Sequence, residues 1–411
     1  FCMVLIMPSE EYETVNYDIP NMRDYYTHIK GNGEDKVTLM VYMVGSDLES
    51  DGGAASEDIA EMTAANADNI NITLQTGGAA AWENASISDG KTERHIIKNG
   101  ELQNVENLGE AQMTSPNTLT DFIKWSASNY PADRYELVLW NHGGGTALGF
   151  GYDEMYPDDM LSLSQIGNAL SDSGIKFDIV GFDACLMGTI ETAYMLEPYA
   201  DYLVASEEYE PGTGWYYSEW LKNLSDNTSM PTVEIGKKIV EDYINGPDSS
   251  FFDSNTLSIV DLREIPYTYS KLCETMQQEE GVLDSRYSVI SQARYNAKSF
   301  GDGEYEQIDI KSYLEECGKS DTELDKVLRS AVKSDASQVV FTHNHPSGIL
   351  KPSNADLVTT QALEHTLFFA GIKMLDHIIV ADGKCMSILP YLKGNGMNAK
   401  INREIKKNNR R

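Results

Sequence analysis

Long apolar runs, basic side chains and closely spaced cysteines are all scarce in this sequence of 411 residues. No apolar run reaches the roughly 18 residues that a membrane-spanning helix needs, so we expect no membrane span. The five cysteines are far apart and form no C-x-x-C pair, which indicates neither a disulfide framework nor a thiolate zinc site. The chain has 64 acidic against 32 basic side chains, and its formal net charge is -32. Such a charge repels nucleic acid and favours partners that carry Arg or Lys.

The two ends of the chain differ from its middle. The first residues, FCMVLIM, are apolar and are followed at once by the polar stretch PSEEYE. This pattern is typical of the stub of a cut signal or lipoprotein leader, so we expect a secreted or cell-envelope protein of a bacterium. From residue 334 onward Lys and Arg outnumber Asp and Glu by ten to six, whereas the preceding residues hold 22 basic and 58 acidic side chains. The change predicts a domain or gene-fusion boundary near residue 334.

Strand and helix patterns alternate along the first two-thirds of the chain, which predicts an α/β fold with a mostly parallel sheet covered by helices. Asn99-Gly100 supplies the positive φ angles of a tight turn and predicts a hairpin over 94–109. Ser115-Pro116 is typical of a helix start. Residues 264–332 read as mainly helical. The predicted buried strands are 37–45, 70–76, 135–140, 177–184 and 256–262, and clear helices are predicted at 55–66 and 163–174.

Two motifs follow neighbouring predicted strands, LWNHGGG at 139–145 and GFDACLMG at 181–188. Because the carboxyl ends of parallel strands meet at one edge of a sheet, His142 and Cys185 can converge there. A thiol, with an ordinary pKa of about 8.5, is readily activated near neutral pH, and a histidine can protonate a leaving amine. Each motif alone is also compatible with a buried structural cysteine or a loop histidine. Together they favour catalysis by a Cys-His pair.

The surroundings of the two motifs extend this hypothesis. The N–H groups of Gly143 and Cys185 are candidates for an oxyanion hole, in which backbone donors stabilise the tetrahedral intermediate. We also expect Cys185 to open the helix that contains IETAYMLEP. The N-terminus of a helix lowers the pKa of a thiol, so this position would favour the thiolate.

Residues 37–333 resemble the clostripain-like peptidases, family C11 of the caspase-like cysteine proteases. The blocks that carry the resemblance include VTLMVYMVGSDLES, ELVLWNHGGG, FDIVGFDACLMG and NAKSFGDGEYEQIDI. It implies a caspase-like α/β/α sandwich and an endopeptidase with His142 and Cys185 as a dyad, without an obligatory third acid. It also implies peptide or protein substrates that are cut on the carboxyl side of Arg and, less well, Lys.

The resemblance places Asp183 at the floor of the specificity pocket. A carboxylate pairs with a guanidinium through two hydrogen bonds, which favours Arg over Lys. The structural alternative is that Asp183 caps a neighbouring helix. The nearby acidic residues Glu207, Glu208 and Glu210 are further candidates for the same cleft.

Cofactors and processing are also suggested by the resemblance. Some relatives depend on calcium, and an acidic loop could bind it or simply be solvated: Asp153, Glu154, Asp158 and Asp159. We expect that the peptidase requires no cofactor. Related enzymes are commonly cut between the catalytic His and Cys, yet residues 143–184 contain a single basic side chain, Lys176. We therefore expect an enzyme that works as a single chain, and as a monomer.

A second motif lies near the carboxyl end. Residues 336–388 resemble the catalytic core of the RadC-like JAB/MPN proteins, and His343, His345, Ser353 and Asp356 reproduce its H-x-H-x7-S-x2-D pattern. The resemblance implies a Zn²⁺ site formed by His343, His345 and Asp356 that leaves a position for water. That group also needs a glutamate base from an earlier strand, and the residues upstream resemble clostripain instead. We therefore predict a partial JAB/MPN-like α/β segment.

The combined prediction is a cysteine endopeptidase, with two alternatives left open. One is a zinc-dependent hydrolase centred on the C-terminal motif, and the other is a catalytically idle binding module. The predicted parts are an N-terminal extension (1–36), a catalytic domain (37–262), its helical continuation (263–333), the partial JAB/MPN segment (334–392) and a basic tail (393–411).

Overall fold

The computed structural model divides into two compact units. The first comprises the residues up to Leu272 together with Ser299–Gln307, and the second comprises Cys273–Lys298 and the residues from Ile308 onward. The structure describes residues 26–246, 255–280, 283–301, 307–317, 338–344, 350–353, 356–357, 360–361, 363–364, 373–381 and 384–393.

An eight-stranded sheet forms the centre of the first unit, in the order β4-β3-β2-β1-β5-β6-β7-β8. Strands β2, β1, β5, β6 and β7 run parallel to one another. Strands β3, β4 and β8 extend the two sides in antiparallel fashion. The bounds are β1 Val37–Val44, β2 Asn71–Gly77, β3 Thr92–Lys98, β4 Glu101–Gly109, β5 Arg134–Trp140, β6 Phe177–Asp183, β7 Ala200–Ala205 and β8 Ser258–Asp261.

Helices cover both faces of this sheet. Apolar side chains of α2, α7 and α8 pack with one face, and those of α3, α5 and α6 pack with the other. The bounds are α1 Ser46–Ser50, α2 Ala54–Ala64, α3 Pro116–Asn129, α4 Gly145–Leu148, α5 Leu163–Ser173, α6 Ile190–Leu196, α7 Tyr217–Asp226 and α8 Thr232–Asn245, and a 3₁₀ helix, Leu262–Glu264, precedes α9 Ile265–Glu280. The layers confirm the predicted α/β/α sandwich with a mostly parallel sheet.

Strand β1 shows why the sequence folds this way. All eight of its residues are buried, because the strand is central and helices cover both of its sides. Leu39, Val41 and Met43 pack into one hydrophobic core, whereas Met40 and Tyr42 pack into the other. The alternation follows from the two-residue period of a β-strand.

The local turn and helix signals agree with the structure. Asn99 and Gly100 connect β3 to β4 with φ angles of 53° and 71°, which is the predicted hairpin turn. Pro116 is the first residue of α3, and Gly174 ends α5 in the left-handed conformation. No helix among the described residues is long and apolar enough to cross a membrane.

The second unit contains short helices and a small sheet. Ala293, Ala297 and Tyr313 form a core where α10 and α11 pack together. Strand β12 pairs in parallel with β11 and in antiparallel with β13, and Leu357, Ile379 and Ile388 pack together. The bounds in this unit are α10 Leu283–Asn296, α11 Ile310–Cys317, β11 Gln338–Asn344, β12 Lys373–Ala381, β13 Lys384–Ser387 and α12 Leu389–Lys393. Of the two remaining short strands, β9 Ser299–Phe300 belongs to the first unit and β10 Gln307–Ile308 lies at the boundary.

Candidate active site

The two predicted catalytic residues follow adjacent parallel strands. Trp140, the last residue of β5, pairs with Asp183, the last residue of β6. His142 and Cys185 therefore each lie two residues beyond a matched pair at the same edge of the sheet. The loops also touch: a Cβ built on Gly143 would lie 2.0 Å from the carbonyl oxygen of Cys185. Only glycine allows this approach.

His142 makes a polar contact that was not predicted. Its Nε2 lies 2.9 Å from Oδ1 of Asp47, the second residue of α1. The ring meets the Tyr152 ring edge to face, with 6.4 Å between centroids, and the His142 carbonyl accepts a hydrogen bond from the Gly151 N–H. The side chain of His142 is 39% exposed, so the ring is accessible to a substrate.

Cys185 does not open a helix, and this part of the prediction is wrong. Helix α6 begins only at Ile190, and the Thr189 side chain caps it by accepting a hydrogen bond from the Thr192 N–H. Cys185 instead lies in a turn whose next residue, Leu186, is buried and has a φ of 66°. A left-handed conformation is unfavourable for leucine, so long-range contacts must hold this turn.

Two distant residues bond to Leu186. The Leu186 N–H donates to the carbonyl of Glu208 at 3.1 Å, and the Gln307 side-chain amide donates to the carbonyl of Leu186 at 3.0 Å. Gln307 also lies against the histidine loop, since a Cβ built on Gly145 would be 1.8 Å from its Nε2. One side chain thus contacts the loops of both predicted catalytic residues.

The sulfur of Cys185 is largely enclosed. The backbone N–H of Glu210 donates to Sγ at 3.2 Å. Burial raises the pKa of the Cys185 thiol, and the neighbouring carboxylates of Asp183 and Glu208 raise it further. The expected lowering of this pKa by a helix N-terminus is therefore absent.

Asp183 lies beneath the loop that precedes α7. Its carboxylate accepts hydrogen bonds from the Trp215 N–H at 3.1 and 3.2 Å and from the Tyr217 hydroxyl at 2.7 Å. Burial raises the pKa of Asp183 to about 6 despite these bonds. This position is compatible with both predicted roles of Asp183. It bonds to residues at the start of a helix, as a helix cap would, and it lies two residues from the thiol, as the floor of a specificity pocket would.

Glu210 adds a second buried acid beside Cys185. Its carboxyl shares a hydrogen bond with the Asp183 carboxyl and lies against the Trp215 indole. Burial raises the pKa of Glu210 well above its usual range, and Asp183 and Cys185 raise it further. Two buried carboxyl groups this close together favour the binding of a cation, because ionising both without one is costly.

A small cavity of about 40 Å³ lies next to these acids. Asp58 lines it, accepts a hydrogen bond from the Trp140 indole at 2.6 Å, and has its pKa raised by burial and by Asp183. The hydroxyl of Tyr243, also in the lining, is buried without a partner in the described part of the chain. The complete lining is Glu57, Asp58, Glu61, Pro211, Thr213, Gly214, Trp215, Tyr216, Tyr243, Gly246 and Asn255.

The acidic loop proposed for calcium bonds chiefly to protein groups. Asp153 accepts from the N–H groups of Met113 and Met155 at 2.8 and 2.9 Å. Glu154 accepts from the Ser50 hydroxyl and from the Ala80 N–H, and Asp159 accepts from the Gln112 amide. Within residues 26–246 and the other described segments, no three acidic, His or Cys side chains are placed to hold a metal ion.

The predicted zinc ligands can be followed only in part. His345 and the side chain of His343 lie outside the described residues, and the backbone of His343 belongs to β11. The Asp356 carboxylate accepts a hydrogen bond from the Ser353 N–H at 2.7 Å, while the Asp356 N–H donates to the Ser353 hydroxyl. Serine and aspartate of the motif are thus adjacent, and the zinc site stays a prediction.

Several residues of this site were missed from the sequence. Asp47, Asp58, Tyr243 and Gln307 belong to elements far from the two motifs, and among them Asp47 carried a usable signal. Asp47 follows β1, which neighbours β5, so its position at the same sheet edge can be deduced from the strand order. Gln307 carried no such signal, because it lies 121 residues from the carbonyl that it bonds.

The chain resembles known proteins in two regions, which overlap at residues 315–347. The sequence model described as the clostripain family matches residues 41–347, and the RadC-like JAB domain matches residues 315–394. The chain is 32% identical over 225 residues to clostripain of Hathewaya histolytica, which covers 46% of this chain and 42% of that protein. It is 47% identical over 62 residues to a UPF0758 protein of Pseudoalteromonas translucida, which covers 15% of this chain and 28% of that protein. The chain therefore spans less than half of either relative.

One solved structure supports the fold. A secreted C11 cysteine protease from Bacteroides thetaiotaomicron, in complex with an irreversible peptide inhibitor, superposes with a TM-score of 0.51 at 19% identity. The match covers 73% of this chain and 82% of that one. Together, the eight-stranded sheet, its helical layers and this match place the fold in the caspase-like class. Within that class the chain belongs to the clostripain family, and its carboxyl end carries a RadC-like segment.

Proposed function

We propose that this chain is a cysteine endopeptidase that cuts on the carboxyl side of Arg, and less well Lys, with His142 and Cys185 as its catalytic dyad. The observation that carries the proposal is the buried pair Asp183 and Glu210 beside the thiol. Asp183 accepts hydrogen bonds from the Trp215 N–H and the Tyr217 hydroxyl, which are neutral. The groups that act on Glu210 are Asp183, Cys185 and the Trp215 indole, and none of them is a cation. A substrate guanidinium supplies both charge and donors to such a pair.

Each step of the reaction then has a group to carry it. The Cys185 sulfur, as thiolate, attacks the scissile carbonyl carbon and forms a C–S bond, while the N–H groups of Gly143 and Cys185 bind the oxyanion. His142, as imidazolium, gives its proton to the leaving amine as the C–N bond breaks. A water molecule then attacks the thioester and gives a proton to His142, and the thiolate leaves as the acid product forms.

Substrate binding also suits the raised thiol pKa. A cation that enters beside Asp183 and Glu210 brings positive charge near Cys185, which opposes the effect of the Asp183 and Glu208 carboxylates on the pKa of the thiol. We infer that a basic side chain promotes ionisation of the thiol as well as binding. The Cys185 thiol would then be less reactive in the free enzyme than in the enzyme with a basic side chain bound.

A panel of fluorogenic peptides that differ only in the residue before the cut tests the proposal. Arg, Lys and citrulline are the informative side chains, because citrulline keeps the shape of Arg but has no charge. We expect cleavage in the order Arg, then Lys, with citrulline at least ~100-fold slower. Equal rates for Arg and citrulline would refute the basic specificity.

The same panel separates the alternatives. If Cys185→Ala keeps full activity while a zinc chelator abolishes it, the activity belongs to the RadC-like segment and to the predicted ligands His343, His345 and Asp356. If no peptide is cut by the wild-type chain, the binding-module hypothesis gains. The RadC-like match keeps the zinc hydrolase as the second candidate.

We further propose a secreted single-chain enzyme that acts on peptides or proteins, with no required cofactor. Secretion is supported by the C11 protease of known structure, which is secreted. The single chain is supported by Lys176, the one basic residue between His142 and Cys185. Lys176 lies just before β6 and pairs with the buried Asp201 at 2.9 Å, a poor position for a processing cut.

A further inference from the structure

The carboxylate of Asp47 lies at hydrogen-bond distance from the predicted catalytic histidine. Nε2 of His142 and Oδ1 of Asp47 are 2.9 Å apart, and the two side chains are 39% and 48% exposed. The residues come from the ends of adjacent parallel strands, since β1 pairs with β5 up to Met43 and Trp140. The contact is therefore set by the sheet.

A buried asparagine holds the two loops together. Asn141 precedes His142, and its amide donates to the Val44 carbonyl at 2.6 Å and to the Ser46 hydroxyl at 2.8 Å. Ser46 is buried with a φ of 52°, and its N–H donates to the Gly78 carbonyl. The residue before the histidine is thus bonded to the residue before Asp47. Such supporting bonds are typical of preorganised sites.

We propose that Asp47 is a positioning residue that binds Nε2 of His142 and leaves Nδ1 to carry the catalytic proton. A histidine nitrogen bonded to a carboxylate keeps its hydrogen, which fixes both the tautomer and the ring orientation. The inference rests on the proposed function and adds a third residue to the dyad. Asp47 touches neither substrate nor sulfur in this role.

The proton balance follows from this orientation. In the acylation step Nδ1–H gives its proton to the leaving amine, and the Nε2–H stays bonded to Asp47. In deacylation Nδ1 takes a proton from the attacking water, which restores the imidazolium. The Asp47 carboxylate stays ionised throughout, and its hydrogen bond with His142 holds the pKa of Asp47 below its usual range against the opposing effect of burial.

The test measures kcat and KM rather than stability, because a partly exposed ion pair contributes little to the free energy of unfolding. The informative variant is Asp47→Asn, which keeps the size of the side chain, and the matched control is Asp51→Asn. Asp51 is exposed and lies at the end of the same short helix, and its substitution by Asn removes the same charge. Both variants are measured with the Arg peptide across pH 5 to 10 in the full chain.

We expect Asp47→Asn to lower kcat on the order of 100-fold, with KM changed less than about threefold. Asp51→Asn keeps the wild-type kcat and KM at every pH. If Asp47→Asn matches Asp51→Asn in kcat and KM, the role of Asp47 is refuted. If Cys185→Ala is fully active, the proposed function itself fails.

Discussion

The α-carbon of Gly143 lies against the carbonyl oxygen of Cys185, so that a Cβ at Gly143 would be 2.0 Å from that oxygen. Gly143→Ala must therefore push the two catalytic loops apart. We expect kcat/KM for the Arg peptide to fall on the order of 100-fold, because small displacements of reacting groups have large effects on rate. Peptide hydrolysis and thermal unfolding check the prediction.

Gly212→Ala is the matched control for this change. Gly212 lies in an exposed loop, and a Cβ there would meet nothing within 4 Å. It should keep activity within about twofold of wild type. Equal effects of the two substitutions would show that the approach of the loops is unimportant.

Gln307 holds the turn after the nucleophile in its left-handed conformation. Gln307→Ala removes the bond to the Leu186 carbonyl, and we expect kcat to fall about tenfold, the equivalent of one hydrogen bond. Gly145→Ala would displace the same amide, because its Cβ would lie 1.8 Å from Nε2. The two substitutions should therefore be less than additive when combined. Gln103→Ala, on strand β4, is the control. Full additivity of Gln307→Ala and Gly145→Ala would contradict this role of Gln307, and so would a loss of activity in Gln307→Ala no larger than that in Gln103→Ala.

We expect Glu210 to lower the stability of the folded chain and to increase the preference for the Arg peptide over the citrulline peptide. Glu210→Gln removes a buried carboxyl whose pKa is raised well above normal, so the melting temperature should rise. The same change should lower kcat/KM for the Arg peptide by about 30-fold or more and leave the citrulline peptide nearly unaffected. Glu219→Gln, on the exposed side of α7, is the control. An equal effect on both peptides would show that Glu210 does not recognise the positive charge of the Arg side chain.

Glu136 makes stability depend on pH far from the active site. Burial raises its pKa from an ordinary 4.5 to about 8, although Arg134 acts in the opposite direction. Between these values the folded chain keeps a proton that the unfolded chain releases, so stability falls as pH rises from about 4.5 to about 8. Glu136→Gln should remove this loss.

Urea unfolding of both chains at pH 5, 6.5 and 8 measures the effect. The advantage of Glu136→Gln over wild type should grow with pH and reach on the order of a few kcal/mol at pH 8. An advantage that is the same at all three pH values would mean that Glu136 does not titrate in this range.

The sheet could be predicted because its signals are local. The apolar run of β1 and the Asn99-Gly100 turn act within a few residues, and the structure agrees with both. The positions of His142 and Cys185 followed from one further rule, that parallel strands end at a common edge. Neighbouring strands then brought the two motifs together.

The conformation of the nucleophile turn could not be predicted, because distant residues determine it. Glu208 and Gln307 bond the backbone of the left-handed Leu186, and neither partner is indicated by the local sequence. A helix starting at Cys185 was the simplest local reading, and it placed the start of α6 five residues too early. For the same reason the pKa of the Cys185 thiol was expected to be lowered by a helix N-terminus, whereas burial raises it.

The most direct test is to label the nucleophile with a peptidyl acyloxymethyl ketone that ends in Arg and to locate the adduct by mass spectrometry. We predict a single adduct on Cys185, formed more slowly in His142→Ala, absent in Cys185→Ala and unaffected by a zinc chelator. An adduct on another cysteine, or undiminished peptide cleavage by Cys185→Ala, would contradict the account.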